Sequence, residues 1–264
     1  MIPLSVFVSL ALIPFTLAQS PSDVALGIAA IEAHFSNAEI VPSLLASFTP
    51  SALLNVAFGA AVPPGTPLTQ DQVKAAPSLS LTPASSSVTF TGNFTLAMVD
   101  AGPVGTNESQ GQTRHMLIND VTVAGTNIST TSGVPITAYA GPAPPAGTGP
   151  HRYVILLYTQ PGTFSPPANL SQAGAGVSVF NFPEYVQTSN LGSLVAGNYF
   201  TVEEGTASSS ISPTSAVVSS TLSPATSSTT SASSTEVTTK SSNASMTKAS
   251  VILVLVAPLL AFFF

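Results

Sequence analysis

Three side chains in this sequence have the types and the setting for chemistry: His115, His151 and Asp100. An imidazole donates hydrogen bonds and gains charge near neutral pH, most readily beside an anion. A carboxylate behind it fixes its tautomer and orientation. His151 follows a turn-rich approach, Gly141-Pro142-Ala143-Pro144-Pro145 and then Gly147-Thr148-Gly149-Pro150. Glycines and prolines there shape a loop whose N–H groups come close to a ligand. Anion binding is the chemistry these residues allow, and the parts for other chemistries are missing. The chain has no Cys, no Gly-x-Ser-x-Gly elbow and no His-Glu-x-x-His pattern, which removes the thiol, acyl-transfer and zinc-hydrolase readings. Glu203 and Glu204 are adjacent, so on a strand they point apart and make a poor acid–base pair. The expectation is a protein that is not an enzyme and holds no metal or cofactor. Arg114 and Arg152 each adjoin one of the histidines, so strand alternation sends them to the opposite face, where ion pairing with Asp or Glu is expected. His34 has no carboxylate or histidine at ligand spacing and reads as a surface or packing residue.

The elements that must position these groups are mostly strands. Val154-Ile155-Leu156-Leu157-Tyr158 is short, apolar and bounded by Gly and Pro, the pattern of a strand buried on both faces. Leu54, Val56 and Phe58 alternate with Asn55 and Ala57 between Pro50 and Gly59. Val88, Phe90, Phe94, Leu96 and Met98 occupy even positions opposite polar odd ones, which predicts a one-faced strand bent at Gly92. His115, Leu117, Val121 and Val123 share another alternating stretch, interrupted at Asn119-Asp120. Val177–Phe182 and Leu191–Val202 supply the last strand-like runs, and Val62–Pro83 is rich in loop residues. The one clear helical period is Val24, Ile28, Ile31 and Phe35, with Ser22 and Asp23 placed to cap it.

Four segments in order resemble the phosphatidylethanolamine-binding protein family, also called the Raf-kinase-inhibitor-protein family. Gly149 to Tyr153 matches its Gly-x-His-Arg-Tyr sequence behind a proline-rich loop. Thr95 to Asp100 followed by Pro103 is similar to its aspartate-proline segment, and Arg114 to Leu117 to its second histidine segment. Leu191 to Phe200 is similar to its closing strand. The resemblance covers roughly residues 40–205. It implies a mainly β fold, a large antiparallel sheet with a smaller second sheet and few helices. It also implies a small pocket for a phosphate-bearing anion such as a phospholipid headgroup. Carried over by position, Asp100, His115, Pro144, Pro145, His151 and Tyr153 line that pocket, and Phe200 stands where the family often has a tyrosine. A second departure is Gly102, where the family usually has another acid.

The ends of the chain bear on its location. Leu4 to Leu17 is almost wholly apolar, and Thr16-Leu17-Ala18 supplies small residues before a cut, so residues 1–18 read as a secretory signal peptide. Residues 19–205 then form one domain. Residues 206–245 are mostly Ser and Thr with few large apolar side chains, which predicts a disordered, O-glycosylated stalk. The final Val251 to Phe264 is apolar but spans only about 21 Å as a helix, short of a bilayer core of roughly 30 Å. Small residues and a polar spacer precede it, so residues 246–264 read as a GPI-anchor signal, with attachment at Ser241, Ser242 or Asn243. Asn93, Asn107, Asn127 and Asn169 head glycosylation sequons.

Composition narrows the partners. There are 5 Lys and Arg against 11 Asp and Glu, net charge −6, and charged residues make up 6% of the chain, far below the roughly 25% usual in soluble domains. Nucleic acid, which needs a basic stripe, is excluded as a partner. The reading is a GPI-anchored surface protein that binds a phosphate-bearing small molecule or headgroup. The alternatives are a secreted carboxypeptidase inhibitor, and a structural surface glycoprotein whose pocket is vestigial.

Overall fold

A computed structural model of the chain describes residues 20–211 and 217–223, all within one compact unit. The expected signal peptide and anchor signal, Ser241, Ser242, Asn243 and most of the expected stalk lie outside the described residues.

Helix α1 (Pro21–Asn37) starts from Ser20, whose hydroxyl accepts the Asp23 N–H while the Asp23 carboxylate accepts the Ser20 N–H. This reciprocal cap satisfies two backbone donors that a helix start leaves open, and it replaces the cap expected at Ser22 and Asp23. Val24, Ile28, Ile31 and Phe35 form the buried stripe, as their spacing predicts. Phe35 stacks on Phe48 at 4.0 Å between ring centroids and meets Tyr199 edge-on.

His34 is half-buried, its ring edge-on to Tyr199 at 6.4 Å. It lines an apolar groove of about 300 Å³ with Gly27, Ala30, Leu53 and Pro63. Burial lowers its pKa below the usual 6.5. The unfolded chain therefore binds the proton more tightly, and this residue's contribution makes stability rise with pH up to 6.5 and level off above. His34→Gln should remove that part of the slope. Melting curves of both proteins between pH 5 and 8 check it, and parallel curves would rule it out.

The strands are β1 (Ala52–Phe58), β2 (Ala60–Ala61), β3 (Thr66–Leu68), β4 (Ser78–Pro83), β5 (Asn93–Asp100), β6 (Gln112–Ala124), β7 (Asn127–Ser129), β8 (Val134–Thr137), β9 (His151–Gln160), β10 (Ser178–Phe180) and β11 (Leu194–Val202). Two short helices, α2 (Ile40–Ser43) and α3 (Phe182–Thr188), complete the regular elements besides 3-10 turns. The sheet order is β2-β1-β4-β7-β6-β5-β9-β11-β3, with β8 and β10 also on β6. Every pairing is antiparallel except β11 with β3. The fold is thus mainly β with few helices. The smaller sheet of β2, β1, β4 and β7 is continuous with the large one through the far end of β6. It curls until β1 meets β11: the Ser51 N–H donates to the Val195 carbonyl, and Asn198 Nδ2 to that of Leu54.

Each face of the central strands is covered by its own core. Ala97, Val99, Leu117, Val154 and Leu156 pack with Phe35, Phe182 and Tyr185 from the helices. Phe94, Leu96, Met98, Tyr153, Ile155 and Phe200 pack with Leu54, Val56 and Leu81 from the smaller sheet. This double cover corrects the one-faced strand expected over Val88–Met98. Regular structure begins only at Asn93, and Thr95, on the supposed polar face, is fully buried and donates to Asn119 Oδ1. Residues 88–92 keep the alternation but have no partner strand. The loop-rich Val62–Pro83 contains β3 and β4, and at Phe182 the expected strand has already turned into α3.

Candidate functional site

Three neighbouring strands bring the chemistry together at one end of the large sheet. Asp100 is the last residue of β5, and Tyr153, near the start of β9, lies directly opposite it. Phe200 of β11 lies opposite Tyr153 in turn. Directly paired residues share a face, so Asp100, Tyr153 and Phe200 look the same way. Tyr153 and Phe200 stack at 5.6 Å. His151, two residues before Tyr153, shares its face, and the two rings lie 6.5 Å apart.

His115 reaches this face by a different route. Met98 pairs with Met116 and Val99 with Arg114, which leaves His115 as the extra residue of a β-bulge. A bulge shifts the alternation and re-aims a side chain. Leu117 therefore joins the helix-side core, while His115 turns to the other side and meets Tyr153 edge-on at 5.2 Å. The sequence pattern, which puts His115 and Leu117 on one face, is corrected here by the bulge. Ala140 holds His115 at two points, its N–H donating to the His115 carbonyl and its carbonyl accepting from Nδ1 at 3.0 Å. With Nδ1 so engaged, His115 Nε2 makes no hydrogen bond to any described residue.

His151 is fixed from both sides. Nδ1 lies 2.9 and 3.0 Å from the two Asp100 carboxylate oxygens, and Nε2 lies 2.8 Å from Thr148 Oγ1. The Thr148 hydroxyl gives its hydrogen to the Pro145 carbonyl, so towards His151 it acts as acceptor. The Asp100 carboxylate can only accept, so Nδ1 is the donor in that contact. Asp100 Oδ1 also accepts the Gly102 N–H at 2.7 Å.

The Tyr153 hydroxyl is buried and makes no hydrogen bond of full geometry, with the Asp100 carboxylate close by. Burial pushes its pKa well up, and the charge of Asp100 and the approach to its carboxylate add to the shift. Pro144 is buried in the loop, and Pro145 is exposed, contributing its carbonyl. Gly102 has φ +63, and a Cβ there would stand 2.4 Å from Thr106 Oγ1. An acid at this position would strain the backbone and would have to displace the Thr106 side chain.

Arg152 and Arg114 project to the opposite face, as expected. Arg152 is fully buried and pairs with Glu108 at 3.2 Å. It also donates to the carbonyls of Ala38, Ala101, Gly102 and Pro103 at 2.6–3.2 Å. Burial lowers the Arg152 pKa and raises that of Glu108 against their mutual attraction. Among the described residues, Arg114 has no such pair. It donates to Thr137 Oγ1, the Gly176 carbonyl and Ser178 Oγ, and lies over the Phe180 ring at 5.0 Å, which corrects the expected carboxylate partner. The sequence reading missed Thr148 and Ala140. A hydroxyl three residues before His151 was a local signal for the first; the second acts through its backbone and left none. Among the described residues, no group of three or more His, Cys, Asp or Glu is placed to hold a metal ion.

A curled, mainly antiparallel sheet thus carries a His/Asp/Tyr cluster at the end of its central strands. The family model for phosphatidylethanolamine-binding protein matches residues 46–200, and the chain belongs to this family. It is 32% identical over 153 residues to an uncharacterized protein of Saccharomyces cerevisiae, covering 54% of this chain and 76% of that one. It is 32% identical over 171 residues to the 26 kDa secreted antigen of Toxocara canis, covering 63% of this chain and 62% of the antigen. The carboxypeptidase Y inhibitor of Saccharomyces cerevisiae is 32% identical over 130 residues, 42% of this chain and 59% of the inhibitor. A crystal structure of carboxypeptidase Y inhibitor complexed with the cognate proteinase superposes with a TM-score of 0.55 at 26% identity, covering 67% of this chain and 95% of that one. The chain thus spans about three fifths of the length of the antigen and of the inhibitor.

Proposed function

We propose that this chain is a secreted, non-catalytic binding module that takes a phosphate-bearing ligand, such as a phospholipid headgroup, between His115, His151 and Tyr153. The observation that carries this reading is the buried Tyr153 hydroxyl, which makes no hydrogen bond of full geometry, beside a His115 Nε2 that bonds no described residue. A buried polar group left unbonded costs about 1–3 kcal/mol, and a ligand oxygen accepting from it offsets that cost. Tyr153→Phe tests both halves at once. Without the hydroxyl the free protein should gain about 1 kcal/mol of stability, while affinity for phosphoethanolamine should fall about 5- to 10-fold. Unchanged affinity in calorimetric titration would remove the reading.

A second reading is supported by the likeness to carboxypeptidase Y inhibitor in both sequence and fold: a peptidase inhibitor acting through its surface. Stoichiometric loss of activity of a serine carboxypeptidase on mixing is its test. Secretion fits the likeness to a secreted antigen and the apolar first segment. Asn93, Asn107, Asn127 and Asn169 are all exposed, which suits glycan attachment. We place the protein on the outer face of the plasma membrane or in the wall by a GPI anchor; retention on membranes after phosphatidylinositol-specific phospholipase treatment would count against that.

A further inference from the structure

The segment that follows β11 returns to the loop that holds His151. The Glu204 carbonyl accepts the Gly147 N–H at 2.9 Å. Ser208 then bonds the Gly147 carbonyl twice, through its N–H at 2.8 Å and its hydroxyl at 3.0 Å. Two residues on, at Gly149, φ is +90 and a Cβ would lie 1.8 Å from Ile211 Cδ1. The Ile211 side chain thus occupies space that only glycine leaves open. Thr148, whose hydroxyl blocks His151 Nε2, is the residue between these two contacts.

We infer that residues 204–211 form a strap whose docking is coupled to occupancy of the anion site. The inference rests on the phosphate reading above. A ligand oxygen that bonds His151 Nε2 must take the place of Thr148 Oγ1, since the ring nitrogen has one hydrogen to give. While Gly147 is bonded to Ser208 and Gly149 is packed under Ile211, the backbone that carries Thr148 is held in place. Releasing the strap lets Thr148 move aside as a ligand enters, and by linkage each event favours the other.

The test uses the full chain and inorganic phosphate. Ile211→Ala and, as a second variant with little risk to folding, Ser208→Ala loosen the strap and should each tighten phosphate binding, by about fivefold or more. In the wild-type protein, saturating phosphate should speed hydrogen exchange at the Ser208 amide, whose bond to Gly147 is lost. Equal phosphate affinity in wild type and both variants, with Ser208 exchange unchanged, would overturn the coupling and leave the phosphate site standing. Failure of all three proteins to bind phosphate or phosphoethanolamine would remove the site and the coupling with it.

Discussion

Arg152→Ala is expected to destabilise the domain by about 3–5 kcal/mol, the usual result of removing one partner of a buried ion pair. The side chain is fully buried and serves five acceptors: the Glu108 carboxylate and the carbonyls of Ala38, Ala101, Gly102 and Pro103. Its removal leaves Glu108 charged or forces it to take a proton, and leaves carbonyls from two parts of the chain without donors. Arg152→Lys should restore little, because a single ammonium does not reproduce the planar fork of a guanidinium. Urea unfolding of the three proteins measures this directly; an alanine variant within about 1 kcal/mol of wild type would be incompatible with the network described. The motif Gly-x-His-Arg-Tyr then divides its labour by strand alternation, with His151 and Tyr153 facing the candidate site and Arg152 fastening the Asp100 turn and the end of α1 from behind.

The second large effect falls on ligand affinity. His151→Ala should weaken phosphoethanolamine binding about 10- to 150-fold, equivalent to roughly 1.5–3 kcal/mol for a hydrogen bond to a charged group. It also leaves Asp100 facing the anion without the ring between them. Arg114→Ala should change affinity little, since its guanidinium is spent on Thr137, Gly176 and Ser178, although stability should drop. Calorimetric titration of wild type and both variants makes the comparison. A larger loss of affinity from Arg114→Ala than from His151→Ala would mean that the site has been put on the wrong face.

Much of the site was legible because strand alternation is a rigid rule. Val154 to Tyr158 reads as buried on both faces, and from it the opposed directions of His151 and Arg152 follow. The helix stripe of Val24, Ile28, Ile31 and Phe35 is equally plain. What escaped depends on interactions between distant residues. The bulge at His115 inserts one residue into a pairing with β5, and no local pattern announces it. Thr95 reads as solvent-facing until Asn119 and Gln160 supply bonds for its buried hydroxyl. Residues 78–83 pair with β1; the alternation of Leu79 and Leu81 with Ser78, Ser80 and Thr82 is a strand signal, but one short and set among prolines.

The place of β11 in the sheet has a consequence for how the chain is made. This last strand lies between β9 and β3, and Asn198 bonds the Leu54 carbonyl across 144 residues of sequence. During synthesis, the edges of β3 and β9 therefore wait unpaired until nearly the whole domain has emerged. Pairings so distant in sequence form slowly, and exposed strand edges in the interval invite association with other chains. A chain with so few charges has little repulsion to prevent that. Glycans added to Asn93, Asn107 and Asn127 as they emerge would supply the missing solvation well before β11 arrives to close the sheet.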